Sequence, residues 1–259
     1  MRVLSLGAGV QSSTLLLMAV HGELQIDRAI FADTQWEPKE VYDWLGGLVL
    51  VAGAAGIPVE TVTAGNLRDD SFSKPGWIMS LPLYVAGTET ARPGILNRAC
   101  TNGYKLRPLY RRIRELGATA KRPADVLVGI SLDEAHRMKP ARVQYIRNEW
   151  PLIDRRMTRG DCLLWMDRHG YSRPPKSACI ACPFRDDASW RAMKDADGSE
   201  WADAVAFDQA ARGMSQAKDR RDLFVHRSLM PLPMVDLSNQ RDAGQTDMFD
   251  TECEGMCGV

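Results

Sequence analysis

Six cysteines and one glycine-serine turn hold the residue types best suited to chemistry in this 259-residue chain. Cys179 and Cys182 form a C-x-x-C pair, CIAC, set between Pro174–Pro175 and Pro183. Prolines stiffen such a knuckle, so the spacing can aim two thiolates at one soft metal centre. Four-coordination needs two more ligands, for which Cys100 and Cys162 are the candidates. Thiolates select zinc, copper(I) or an iron–sulfur cluster, and spacing does not choose among them. The competing reading is a pair of reduced cysteines without a ligand, with Cys162 a small buried apolar side chain. Two further thiols, Cys253 and Cys257, stand in the polar stretch ECEGMCGV, and a disordered tail rarely needs two cysteines.

The turn is GAGVQSS, residues 7–13, which follows the apolar run RVLSL and precedes TLLLMAV. Glycines let the backbone approach an anion closely, a helix N-terminus offers unpaired N–H groups, and the Ser12 and Ser13 hydroxyls add donors. The spacing is neither that of a Walker loop nor that of a dinucleotide G-x-G-x-x-G, because position 12 is serine. An ordinary strand-turn-helix connection is the alternative. From Arg98 to Arg122 eight Lys or Arg stand against one acid, Glu115, within a chain of formal net charge +0. That local excess calls for an anion, either a small one or a nucleic-acid backbone. SLDEAHR, 131–137, follows an apolar run and shares the sheet edge expected for GAGVQSS and Asp33. Its acids Asp133 and Glu134 hold magnesium or pair with nearby bases. His136 and His169 receive no role, and Trp36, Trp150 and Trp165 are expected as core or groove walls.

Elements that would carry these residues alternate. Strands are expected at 2–6, 29–34, 57–62 and 125–130, and helices after Ser13, from Pro38 to about Ala55, at Tyr104–Leu116 and at Met157–His169. The stretch from Asn66 to Pro93, with scattered Gly and Pro, is expected as a long loop or lid. Alternation of this kind predicts an α/β fold, an open and mainly parallel sheet with helices on both faces. Helices at 187–195 and 199–212 would form a C-terminal extension. The expected organisation is a nucleotide-binding domain over 1–185, a helical extension over 186–238 and a mobile cysteine-bearing tail over 239–259.

Composition, 45% hydrophobic and 25% charged, places the chain in the globular class. No apolar run approaches the roughly 18 residues of a membrane span. The opening residues lack a cleavage site and are broken by Gln11, Ser12 and Ser13, so a secretion signal is not expected. Six cysteines without an export signal suggest metal or redox chemistry in the cytoplasm.

Taken together, GAGVQSS, FADTQWEPKEVYDWL, CTNGYKLRPLYRRIRE, SACIACPF and the terminal ECEG resemble the phosphoadenosine phosphosulfate (PAPS) reductase-like family of the PP-loop, or adenine nucleotide α-hydrolase, superfamily. The resemblance covers about residues 1–190 and the terminal motif. It implies a Rossmann-like fold and an adenine-nucleotide site made by Ser5, Gly7, Ala8, Gly9, Gln11, Ser12, Ser13, Asp33, Thr34, Lys105, Arg107, Gly129 and Arg137. Lys105, Arg107 and Arg137 would hold the anion. It further implies a four-iron four-sulfur cluster, with zinc as the alternative, on Cys100, Cys162, Cys179 and Cys182. Cys253 would attack the sulfur of adenylyl sulfate or its 3′-phosphorylated form, Cys257 would resolve the intermediate, and a thioredoxin-like reductant would be the partner. Two departures stand out: Gln11 occupies the place where ATP-splitting relatives carry aspartate, and Ala99 replaces the first cysteine of a Cys-Cys pair. An ATP-dependent sulfur transferase acting on tRNA or DNA is the competing function, and a non-catalytic nucleotide- or cluster-binding protein is a third.

Overall fold

The computed structural model describes residues 1–74, 76, 78, 81–88, 92–196, 198–213 and 222–238. The chain divides into two compact units, the first comprising Met1–Gly65 and Thr101–Ser177, the second Asn66–Cys100 and the described chain from Ala178. The units are therefore interleaved rather than consecutive, and the expected boundary at 185 differs from this division.

The first unit opens with β1 (Arg2–Leu6), α1 (Val10–Val20), β2 (Arg28–Asp33), α2 (Lys39–Ala54) and β3 (Val59–Thr63). The chain then gives α3 (Leu67–Ser73), β4 (Tyr84–Val85) and β5 (Gly94–Ile95) to the second unit. The stretch read as an unstructured lid thus contains a helix and a strand. The first unit resumes with a π-helix at Thr101–Leu106, α4 (Arg107–Glu115), β6 (Ala124–Val128), a 3-10 helix at Leu132–Arg137, β7 (Ile146–Glu149), α5 (Pro151–Asp154) and α6 (Arg159–Arg168). In the second unit follow α7 (Asp187–Asp195), α8 (Ser199–Gly213), β8 (Leu223–Phe224) and a 3-10 turn at Leu232–Met234. The predicted basic helix begins as a π-helix beside Pro108, whose missing N–H removes one rung of regular winding.

Five strands form one sheet in the order β3-β2-β1-β6-β7, and every adjacent pair is parallel. The expected α/β class is the observed one. Strand period sorts the side chains: Leu4, Ala29, Phe31 and Leu127 pack with α1, α2 and α6, while Val3, Ile30, Val126 and Val128 pack with Leu106, Leu109 and Ile113 of the segment ending in α4. Helices thus cover both faces. Every residue of α1 from Val10 to Ala19 is buried, which explains its uninterrupted apolar run. β7 was not foreseen, because IRNE is short and two of its four residues are charged. The second unit is built on a three-stranded antiparallel sheet, β5-β4-β8, with Trp190 and Phe207 fully buried.

Candidate functional site

Sheet order reverses direction between β1 and β6, the place where ligands bind beyond the carboxyl ends of strands in open α/β sheets. GAGVQSS follows β1 and Gly129–Ser131 follows β6, so both reach this crevice. The two loops touch. A Cβ on Gly129 would lie 2.8 Å from the Ser12 nitrogen and 3.0 Å from its Cα, so only glycine fits. Ala8 has φ 58°, a left-handed conformation that a residue with a Cβ adopts at a cost of about 1–2 kcal/mol. Gly9 then starts α1 with extended backbone, no side chain caps the helix, and its first turn contains no acid. The positive end of the dipole of this buried 11-residue helix therefore faces the crevice without an acidic side chain in its own first turn.

The expected hydroxyl donors are engaged within the fold. Ser12 Oγ accepts from the Gly7 N–H at 3.1 Å and donates to the Gly9 carbonyl at 3.4 Å. Ser13, fully buried, accepts from Trp44 Nε1 at 3.0 Å. Ser5 is buried in β1 beside Val128 of β6. The Ser177 hydroxyl donates to the Gly7 carbonyl, a contact that sequence spacing gave no sign of. Both serine side chains of the turn thus make contacts within the first unit.

Gln11 is 1% exposed and joins three segments. Its Nε2 donates to Glu134 Oε2 at 3.0 Å and to Ser131 Oγ at 3.3 Å, and Arg159 at the start of α6 lies 3.5 Å from its Oε1. Glu134 also pairs with Arg137. The anion-holding arginine expected from sequence therefore already faces a carboxylate. Asp133 Oδ1 accepts the Arg159 N–H at 3.1 Å. Both acids of SLDEAHR thus make contacts within the fold.

On the neighbouring edge, Asp33 Oδ1 accepts from the Tyr42 hydroxyl at 2.8 Å and from the Gln35 N–H at 2.7 Å, with Gln35 held at φ 56°. Burial, and then this bond, raise the Tyr42 pKa well above the ordinary phenol value, so the hydroxyl remains a donor. Thr34 is fully buried and donates to Glu37 Oε1 at 3.2 Å. Lys105 Nζ lies 3.4 Å from that same oxygen. Lys105, expected to act as a point charge for an anion, has the buried Glu37 as counterion, and no sequence spacing had singled out Glu37. Arg107 is exposed at the start of α4. Elsewhere in the basic segment, Arg112 binds Glu60 at 2.6 Å and Glu115 at 3.3 Å, and Arg111 reaches the Thr63 carbonyl at 3.3 Å. Much of the local positive charge is thereby spent inside the first unit.

The cysteines divide between the units. Cys162 is fully buried on α6, among the apolar side chains of the first unit's core. Cys100, Cys179 and Cys182 belong to the second unit. There the Cys182 N–H closes a turn onto the Cys179 carbonyl at 3.0 Å, and the buried Arg185 donates to the Ala178 and Cys179 carbonyls at 3.1 and 3.2 Å. Arg98 lies 4.6 Å over the Phe184 ring, which brings the strand of chain holding Cys100 beside the one holding Cys182. Among the described residues, no group of three or more His, Cys, Asp or Glu could hold a metal ion. Cys162, one of the four cysteines expected as ligands, is thus a buried member of the first unit's core, and the other three belong to the second unit. Cys253 and Cys257 lie outside the described residues. No helix among the described residues is long and apolar enough to cross a membrane.

No protein-family model and no curated protein matches the sequence. Two of the solved structures that are similar to the chain are the following. One is phosphoadenylyl-sulfate (PAPS) reductase from Candida auris in a phosphate complex, with 13% identity, a TM-score of 0.44, and 67% of this chain and 74% of that chain covered. The other is the U34-tRNA thiolase NcsA from Methanococcus maripaludis with its [4Fe-4S] cluster, with 15% identity, a TM-score of 0.45, and 81% of this chain and 71% of that chain covered.

Proposed function

We propose that the crevice beside β1 and β6 binds the phosphate groups of an adenine nucleotide, and that the protein is an enzyme using that nucleotide for sulfur chemistry. One observation carries the phosphate reading. At the sheet's switch point, the N-terminus of the buried helix α1 has neither a capping side chain nor a first-turn acid, and Gly129 allows the two loops to meet. The adenosine and sulfur parts of the reading rest on the sequence resemblance of GAGVQSS, Asp33–Thr34, the CIAC pair and ECEG. Adenylyl sulfate or its 3′-phosphorylated form is the proposed substrate. Cys253 is the proposed nucleophile toward sulfur, Cys257 its resolving thiol, and a thioredoxin-like protein the reductant. Arg107 and Arg137 are proposed to approach the anion, Arg137 with its charge shared with Glu134.

A second reading, ATP-dependent sulfur transfer to tRNA or DNA, gains from the placement of Glu134. The sequence lacks an acid in the loop itself, yet this carboxylate reaches Gln11 from the segment after β6. A carboxylate, itself paired with Arg137, thus stands beside the turn.

Anaerobically purified protein incubated separately with adenylyl sulfate, with its 3′-phosphorylated form, and with ATP, magnesium and tRNA or DNA tests both. Sulfite release that disappears in Cys253→Ser supports the first reading. Pyrophosphate release with thiolated nucleic acid supports the second. Turnover that depends on a cysteine rules out a purely binding role, whereas failure of all three nucleotides to bind in equilibrium dialysis overturns the proposal.

A further inference from the structure

The second unit places a serine, a histidine and an aspartate in series, and the nucleotide reading uses none of them. β8 runs into a turn closed by the Leu229 N–H on the His226 carbonyl at 3.1 Å. His226 is 4% exposed, with Nε2 3.0 Å from Asp187 Oδ1 and Nδ1 2.8 Å from Ser228 Oγ. The Ser228 backbone N–H also points at Nδ1, at 3.1 Å. An N–H only donates, so Nδ1 carries the lone pair and the ring proton of the neutral imidazole sits on Nε2, toward Asp187. With that tautomer the Ser228 hydroxyl is the donor to Nδ1. Arg227 binds the second oxygen of Asp187 at 2.6 Å and fixes its orientation.

The turn is braced from beneath. Asp208 is fully buried, and its two oxygens accept from the Val225 N–H at 3.1 Å and from the Leu232 N–H at 2.9 Å, one on each side of the turn. Arg212 neutralises it. Leu229, directly after Ser228, has φ 58°, a conformation that persists in a residue of this type only where its surroundings enforce it. A buried ion pair and a strained residue thus hold one exposed hydroxyl against a buried imidazole.

We propose that Ser228 is the nucleophile of a second site in this protein, one that transfers acyl groups from small activated esters, with His226 as general base and Asp187 as the residue positioning the imidazole. Ser228 Oγ attacks the ester carbonyl while its proton passes to His226 Nδ1. The carbon–oxygen bond to the alcohol breaks, and the alcohol leaves with that proton. Water, deprotonated by the same Nδ1, then attacks the acyl-serine, releasing the carboxylic acid and restoring the serine proton. No other reactant is needed. The class is small esters because Ser228 lies on an exposed turn.

The full-length chain treated with a fluorophosphonate probe tests this directly. The Ser228 Oγ–phosphorus bond forms, the phosphorus–fluorine bond breaks, and fluoride leaves as His226 takes the proton. The expected result is one adduct, mapped by peptide mass to the segment containing Ser228 and absent in Ser228→Ala, which removes only an exposed hydroxyl. His226→Gln should slow labelling at least about a hundredfold, the range that a general base contributes. Because His226 is buried, Asp187→Asn with an unchanged circular dichroism spectrum provides the independent measurement, expected at least about tenfold slower. No adduct at Ser228, or equal labelling rates in the wild type and Asp187→Asn, overturns the proposal and leaves the turn a structural one.

Discussion

The crevice of the first unit and the braced turn of the second solve the same problem, holding polar groups at a surface, in opposite ways. At the crevice, Gln11, Glu134, Arg159 and Ser177 come from separate stretches of chain and meet because a parallel sheet brings its loops to one edge. In the second unit, His226 and Ser228 are two residues apart, and one buried carboxylate, Asp208, fixes the turn that carries them. A site assembled by topology distributes its support over many weak bonds. A site assembled locally depends on one strong brace.

Removing that brace should have the largest effect. Asp208→Ala leaves two backbone N–H groups and Arg212 without their acceptor, and loss of one partner from a buried ion pair costs about 3–5 kcal/mol. Urea unfolding should show that loss, and Ser228 labelling should fall with it. A near-normal midpoint would show that the turn does not depend on its carboxylate.

The corresponding change at the crevice is Gly129→Ala. Its Cβ would sit 2.8 Å from the Ser12 nitrogen, so backbone must shift, at a cost of about 1–3 kcal/mol. Nucleotide binding measured by equilibrium dialysis should weaken at least about tenfold, while fluorophosphonate labelling of Ser228 is unaltered. Labelling that falls in parallel would mean that the two sites are coupled and not independently supported.

Acid should weaken the scaffold of the first unit rather than either site. Hydrogen bonding from Arg112, reinforced by Arg28, holds the Glu60 pKa below the ordinary glutamate value. A carboxylate whose folded pKa is depressed contributes stability above its unfolded pKa and loses it as pH falls through the folded value. Melting temperature should therefore drop by a few degrees more in wild type than in Glu60→Gln across the window below the ordinary glutamate pKa. Parallel curves for the two proteins would remove Glu60 as the source.

The smallest effect expected is that of Ala8→Gly. Glycine relieves the left-handed strain at φ 58° but adds freedom to the unfolded chain, for a net gain of about 0.5–1 kcal/mol. A small rise in melting temperature with weaker nucleotide binding would show that the strained alanine pre-shapes the loop. A fall in stability would show that the methyl group packs in the fully buried position it occupies.

The turn after β1, Asp33 at the end of β2 and the alternation of strand and helix were legible in the sequence, because each depends on neighbours a few residues away. The π-helical start of the basic helix had a visible cause in Pro108, although the expectation was a regular helix. Glu37 was not legible. Its signal was a lone acid before Pro38, and its importance comes from Thr34 and from Lys105, which lies 68 positions away. Ser131 and Glu134 stood in a quoted motif, yet their partner Gln11 lies more than 100 positions distant. The cysteines carried chemistry by type alone. That Cys162 lies buried in the first unit's core follows from the packing of α6 and not from its spacing to the other cysteines.

By itself, then, the sequence determined the class of fold, the glycine-serine turn after β1 and the residue types available to a site, since periodicity and turn composition are local properties. Only the tertiary structure decided that Ser12 and Ser13 turn inward, that Arg137 and Lys105 have carboxylate counterions, that 66–100 joins the second unit, and that His226 stands between Ser228 and Asp187. Hydrogen bonds and ion pairs form between groups within about 3 Å of each other, and a linear spacing does not specify which distant segments come that close.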